Sequence, residues 1–125
     1  MILIFFTSCI KDDYITQTYD KDLVKEQFTC LKLHLSPYSS KTINTAKSLY
    51  TFNDNCQNTL EIKYKSKIAC NSKHNTNKQF NSFIQLSILK DNKLIYVVYK
   101  DLKDDVNINE EIKKGYKKLC QTINL

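Results

Sequence analysis

The stretch FNSFIQLSILKDNKLIYVVY, residues 80–99, decides the class of fold. Its two apolar-rich segments, 80–89 and 94–99, have the length and the β-branched and aromatic content that predict strands. Asp91 and Asn92 lie between them, and both residue types tolerate positive φ, so a two-residue hairpin turn is expected. The segment 94–99 is apolar on both faces, which indicates a central strand that is covered on each side.

Other patterns extend this hairpin into a domain. Residues 28–35 and 60–69 alternate apolar side chains with Lys or His, which predicts two more strands. Apolar side chains recur at helical spacing over residues 108–123, and Asn107 or Asn109 can cap this helix. The length of 125 residues suits a single domain. We therefore expect an α+β fold, an antiparallel-rich sheet of about four strands with a C-terminal amphipathic helix.

One segment leaves an alternative open. Over residues 42–52, apolar side chains at positions 43, 46 and 50 keep helical spacing, whereas several β-branched residues favour a strand. We expect a short helix here. The alternative fold is an immunoglobulin-like β-sandwich, in which this segment becomes a strand.

An apolar run precedes the first cysteine of the chain. It ends in the motif Phe6-Thr7-Ser8-Cys9, and a polar, charged segment follows. This motif resembles the lipobox of bacterial lipoproteins, in which the signal peptide is cut before the Cys and the thiol carries diacylglycerol. The resemblance implies a signal-peptide remnant at 1–8, a lipidated Cys9 with a polar tether over 9–27, and one globular domain over 28–125. The alternative is that residues 1–8 form a buried strand and Cys9 is a core thiol.

Four cysteines remain if Cys9 carries the lipid, namely Cys30, Cys56, Cys70 and Cys120. Export to an oxidising periplasm favours two disulfides among them. A zinc site needs closely spaced pairs of Cys and His, and only Cys70 and His74 approach such spacing, so we expect no metal.

The geometry of a strand limits the disulfide pairing. Cys56 and Cys70 flank the predicted strand 60–69, so they should lie too far apart to bond to each other. An antiparallel arrangement of the strands favours the pairs Cys56–Cys120 and Cys30–Cys70. A short helix between the strands 28–35 and 60–69 favours a parallel arrangement instead, which argues against these pairs.

The chain is basic, with a net charge of +6, and the excess of Lys lies between residues 28 and 100. Lys63, Lys65 and Lys67 alternate along one predicted strand and should share a face. They can protect an edge strand or simply remain solvated, or they can bind an anionic surface such as phospholipid or lipopolysaccharide. The absence of Arg makes nucleic acid a poor partner, because Arg is the usual reader of guanine.

No catalytic motif is present in the sequence, and we expect no catalytic residues and no cofactor. There are two His and a single Gly, which excludes a Gly-rich phosphate loop. We expect a non-catalytic lipoprotein of the bacterial cell envelope, anchored in the membrane through its lipid and binding another envelope protein. The alternative is an accessory factor that binds lipopolysaccharide or anionic lipid through its Lys face. Ile10 rather than Asp follows Cys9, which by the enterobacterial sorting rule favours the outer membrane, facing the periplasm.

Overall fold

The computed structural model describes residues 14–65, 82–102 and 106–125. Its elements, in chain order, are the strand β1 (Ile15–Thr18), a 3₁₀ turn (Leu23–Lys25), β2 (Lys32–Ser36), the helix α1 (Ile43–Lys47), β3 (Asn58–Lys65), β4 (Ser82–Lys90), β5 (Lys93–Leu102) and the helix α2 (Ile108–Leu119). The predicted lipid site Cys9, together with Lys67, Cys70 and His74, lies outside the described residues.

The five strands form one sheet in the order β1-β5-β4-β3-β2. β2 and β3 pair in parallel, and all other neighbours are antiparallel. Asp91 and Asn92 join β4 to β5 with φ values of 52° and 68°. The predicted two-residue hairpin is therefore confirmed, since this turn requires positive φ at both positions.

The short helix α1 lies in the connection between the parallel strands β2 and β3. Its Ala46 is fully buried, and Ile43 packs against the core. Thr42, just before the helix, uses its hydroxyl to contact the Tyr64 hydroxyl at 3.0 Å. The predicted helix is confirmed, and the alternative immunoglobulin-like sandwich is wrong because the described strands form a single sheet.

The helix α2 covers one face of the sheet, and the core lies between them. Asn107 caps it, because its Oδ1 accepts from the amides of Asn109 and Glu110 at 3.0 and 3.3 Å. The sheet side of this core consists of fully buried aliphatic residues that alternate along the strands: Leu60, Ile62, Ile84, Leu86 and Ile88. The C-terminal segment adds Ile112 and Leu119, as the helical spacing predicted, and Ile123, which lies beyond the end of α2 although the spacing had included it in the helix.

Gly115 brings α2 close to the sheet. A Cβ at this position would lie 2.7 Å from Cδ1 of the buried Leu86. A glycine inside a helix costs about 1 kcal/mol relative to alanine. Here the glycine allows α2 to pack closely on the sheet, and this packing offsets the cost of the glycine. Any larger side chain at position 115 would displace Leu86.

The sheet has five strands rather than about four, because β1 comes from the segment predicted as a tether. Residues 15–18 pair antiparallel with β5, from Ile15 opposite Tyr99 to Thr18 opposite Tyr96. The following chain continues to pack, and Val24 and Phe28 are buried in the core. The tether prediction is therefore wrong for residues 14–27, and the coarser α+β prediction with its C-terminal helix is confirmed.

The structure joins Cys30 to Cys56, with Cα atoms 5.9 Å apart. One of the two predicted disulfides is thus present among the described residues, but the favoured pairs Cys56–Cys120 and Cys30–Cys70 are wrong. Each bonded cysteine lies two residues before its strand, β2 or β3. Because these strands run parallel, their starts lie side by side, and the two thiols meet there. Cys120 keeps a free thiol, whose pKa is raised by partial desolvation of the sulfur.

Candidate functional site

The sheet face opposite α2 carries no described helix, and we call it the open face. It comprises the odd-numbered residues 15–17 of β1, 59–65 of β3, 83–87 of β4 and 97–101 of β5, and the even-numbered residues 32–36 of β2. β5 is a central strand, as predicted. Its open-face side chains are nevertheless only half-buried or exposed, so within the described residues it is covered on one side only.

The half of the open face on β4, β5 and β1 carries an apolar patch of four side chains among polar ones: Ile15, Phe83, Val97 and Tyr99. The rings of Phe83 and Tyr99 stack with centroids 5.7 Å apart and planes inclined by 20°. Val97 lies beside them half-buried, and Ile15 is 64% exposed. The Tyr99 hydroxyl donates to Asp101 at 2.8 Å, and burial together with this carboxylate raises the pKa of Tyr99 to about 12. The phenol is therefore neutral at neutral pH, and the charge next to it is that of the Asp101 carboxylate.

The other half of the open face carries ammonium groups. Lys63 and Lys65 are exposed on β3, two residues apart and on the same side, as the alternation predicted. Edge protection is the wrong interpretation for Lys63, because β3 is paired there with both β2 and β4; the described pairing with β2 ends at this residue. Lys63 lies opposite Gln85, and Lys65 lies opposite Phe83, which brings the charged and aromatic halves into contact.

A shallow depression of about 570 Å³ lies where the two halves meet. Lys63, Lys65 and Phe83 line it, and Ser36 and Pro37 close one end. Such a depression combines a ring face with two positive charges. It can therefore accept an anionic group whose neighbouring atoms are apolar.

The only described histidine also lies on the open face. His34 of β2 is exposed, and its Nδ1 lies 3.3 Å from Oε2 of Glu61, directly across the strand pair. An exposed pair of this kind contributes at most about 1 kcal/mol to stability.

The sequence did not reveal that Tyr99 belongs to this surface, since the strand 94–99 was expected to be covered on both faces. Tyr96 is buried, and its hydroxyl donates to Thr122 at 3.1 Å. Tyr99 lies three residues further along the strand and therefore points to the opposite face. The parity of the two positions was the signal that separates a core residue from a surface one.

A cluster of polar side chains that the sequence did not predict lies between α2 and the end of the sheet. Glu111 is buried, and its Oε1 accepts from the Tyr14 hydroxyl at 3.0 Å and lies 3.4 Å from Nζ of Lys100. The same ammonium lies 5.0 Å from the centre of the Tyr14 ring. The three side chains thus provide each other's polar partners, and their contacts hold the start of β1 and the end of β5 against α2.

Two further properties concern the described residues alone. Within ranges 14–65, 82–102 and 106–125, no three His, Cys, Asp or Glu side chains are placed to hold a metal ion. Neither described α-helix is long and apolar enough to cross a bilayer.

The open face thus offers stacked aromatic rings, the aliphatic side chains of Val97 and Ile15, and two adjacent ammonium groups. These groups can bury apolar atoms and attract negative charge. No protein-family model, curated protein or solved structure matches the chain. What this surface does must therefore be inferred from its own residues.

Proposed function

We propose that the chain is a non-catalytic lipoprotein of the bacterial cell envelope that binds another protein through its open face. The observation that supports this proposal most strongly is the apolar patch on that face. Phe83, Val97 and Tyr99 are only partly buried and Ile15 is exposed, although they lie together on one side of the sheet. An apolar patch bordered by polar residues is typical of a protein interaction surface.

The charged half of the face indicates what kind of partner surface fits. Lys63 and Lys65 border the aromatic pair and are exposed. Charges at the rim of an interface steer association and select partners of opposite sign. The partner should therefore present apolar side chains next to carboxylates.

The lipid anchor is the second part of the proposal, and it rests on the motif that ends at Cys9. β1 begins at Ile15, so five residues separate it from Cys9. Five fully extended residues span at most about 18 Å. A lipid on Cys9 would therefore hold the sheet close to a membrane surface, and we propose that this surface is the periplasmic side of the outer membrane.

Photo-crosslinking in the native bacterium tests the use of the open face. We expect benzoylphenylalanine substituted at Lys63 or at Ile15 to form a protein adduct on irradiation, because both positions are exposed on this face. The matched control places the same group at Lys113, which is exposed on α2 on the other side of the domain. Adducts from position 113 but from neither open-face position would contradict the proposal.

The same experiment addresses a second candidate function, which the exposed Lys63 and Lys65 favour. In this alternative the depression of about 570 Å³ binds the phosphates of lipopolysaccharide or of an anionic phospholipid. The adduct at position 63 would then contain lipid rather than protein. A lipid adduct without any protein adduct would replace the first function by the second.

A further inference from the structure

β2 is an edge strand whose outer main-chain groups can be identified from two hydrogen bonds. The Cys30 carbonyl accepts from the Asn58 side chain on β3, whereas the Leu31 carbonyl accepts at 2.8 Å from the amide of Asn53, which lies outside the sheet. Successive residues of a strand direct their main-chain groups to opposite sides. The main-chain N–H and C=O groups of Leu33 and Leu35 therefore point the same way as those of Leu31, away from β3.

Those outward groups have no partner among the described residues. Asn53 pairs with the edge at Leu31, and no other described main-chain group outside β3 bonds to β2. The hydrogen bond from Asn53 to Leu31 is thus the first main-chain bond on this outer edge, and the chain around Asn53 makes no further one. One donor and one acceptor at each of Leu33 and Leu35 are left to continue the ladder.

A cleft of about 550 Å³ lies directly beside this edge. The side chains of Leu33 and Leu35 form its floor, and Ile43 and three aromatic rings complete the wall: Tyr38, Tyr50 and Phe52. Tyr38 is 73% exposed. The volume and the mainly apolar lining suit one or two large apolar side chains.

The rim of the cleft carries one charge of each sign. Lys47 of α1 and Asp54 both line it, and both are exposed. An occupant with an acidic side chain near Lys47 and a basic one near Asp54 would match this rim. An uncharged hydrocarbon would leave both charges unused, so the rim favours a peptide over a simple lipid tail.

We propose that this site binds an extended peptide segment of a partner protein, which adds as a sixth strand to the outer edge of β2. Main-chain hydrogen bonds to Leu33 and Leu35 hold the segment, and an aromatic or aliphatic side chain enters the cleft. Strand addition of this kind takes its affinity from the main chain and its specificity from pockets for alternate side chains. The side chains of Leu33 and Leu35 lie on the opposite face of β2 from the open face, so a negative result here would not bear on the function proposed above.

A displayed library of random octapeptides, selected on the full chain, tests the proposal. We expect the enriched peptides to have large apolar residues at alternate positions. Saturation with such a peptide should slow hydrogen exchange at the amides of Leu33 and Leu35 by about tenfold or more. Tyr38→Ala should weaken its binding by about tenfold, as expected for an aromatic contact in a small interface. Tyr19→Ala is the matched control, because Tyr19 is equally an exposed tyrosine but lies beside β1.

The charged residues at the rim of the cleft allow a second, independent test. Lys47→Glu should select peptides in which a basic residue replaces the acidic one. The proposal is overturned if no peptide is enriched, or if the enriched peptides lack alternation and leave both amides exchanging at their original rates. It is equally overturned if Tyr38→Ala and Tyr19→Ala bind the enriched peptide alike, since the cleft would then play no part.

Discussion

Replacing Cys30 and Cys56 together by Ala is expected to lower the free energy of unfolding by about 3–4 kcal/mol. The bond closes a loop between residues 26 positions apart, and cross-linking such a loop removes conformational entropy from the unfolded chain. The double variant avoids leaving one unpaired thiol at the start of β2 or β3. Guanidinium denaturation of protein purified from an oxidising compartment measures the difference.

Cys120→Ala is the control for this pair, since Cys120 has a free, exposed thiol. We expect it to change the free energy of unfolding by no more than about 0.5 kcal/mol. Equal losses for the control and the double variant would contradict the pairing. Peptide mapping without reduction gives a second check, in which a peptide that links Cys56 to Cys120 would show the parallel arrangement of β2 and β3 to be wrong.

Glu111→Ala should lower the free energy of unfolding by about 2–3 kcal/mol. It removes the side-chain acceptor of the Tyr14 hydroxyl, which keeps the main-chain carbonyl of residue 111 at 3.1 Å, and it leaves the ammonium of Lys100 without its buried partner. Loss of one member of a buried ion pair costs about 3–5 kcal/mol. The Lys100 side chain keeps 18% of its surface exposed, compared with 8% for Glu111. Because solvent can reach the ammonium, we expect a loss of about 2–3 kcal/mol rather than the full cost.

The adjacent Glu110 provides a matched control on the same turn of α2. Its side chain is 55% exposed, and its only described ion pair is with Lys113 at 3.6 Å. Glu110→Ala loses the same favourable interaction with the helix dipole and should cost about 0.5 kcal/mol. If thermal denaturation shows equal losses for the two variants, the buried group does not fasten β1 and β5 to the helix.

The parts of the fold that could be predicted are those with strong local signals. The apolar and β-branched content of residues 80–89, the Asp91-Asn92 turn and the Asn107 cap each depend on a few neighbouring residues. The helix α2 has both a cap and a continuous apolar stripe, so its position and its buried face were predictable. These features need no knowledge of the rest of the chain.

β1 could not be predicted, because all four of its residues are exposed. An edge strand with no buried side chain has no alternating pattern, and only its main-chain pairing with β5 defines it. The disulfide depended on the direction of β2 relative to β3, which is a non-local property. The sequence favoured a short helix between these strands, and that helix was the correct indication of the parallel arrangement.

The candidate site was predictable to a similar extent. Alternation placed Lys63 and Lys65 on one face, and the structure confirms that they share it. The stacking of Phe83 on Tyr99 depends on the register of β4 against β5, in which these residues are diagonal neighbours. The cleft beside β2 is lined by residues of β2, of the α1 region and of the loop at 50–54. No local sequence pattern predicts how these three parts pack together.

Metabolic labelling with a fatty-acid probe tests most directly the claim that this chain is a lipid-anchored envelope protein. We expect the wild-type chain to be labelled in its bacterial host, and Cys9→Ser to remain unlabelled because it lacks the thiol that carries the lipid. Cys120→Ser is the control, since it removes a free thiol elsewhere, and it should be labelled like wild type. Equal labelling of Cys9→Ser and wild type, or no labelling of either, would contradict the claim.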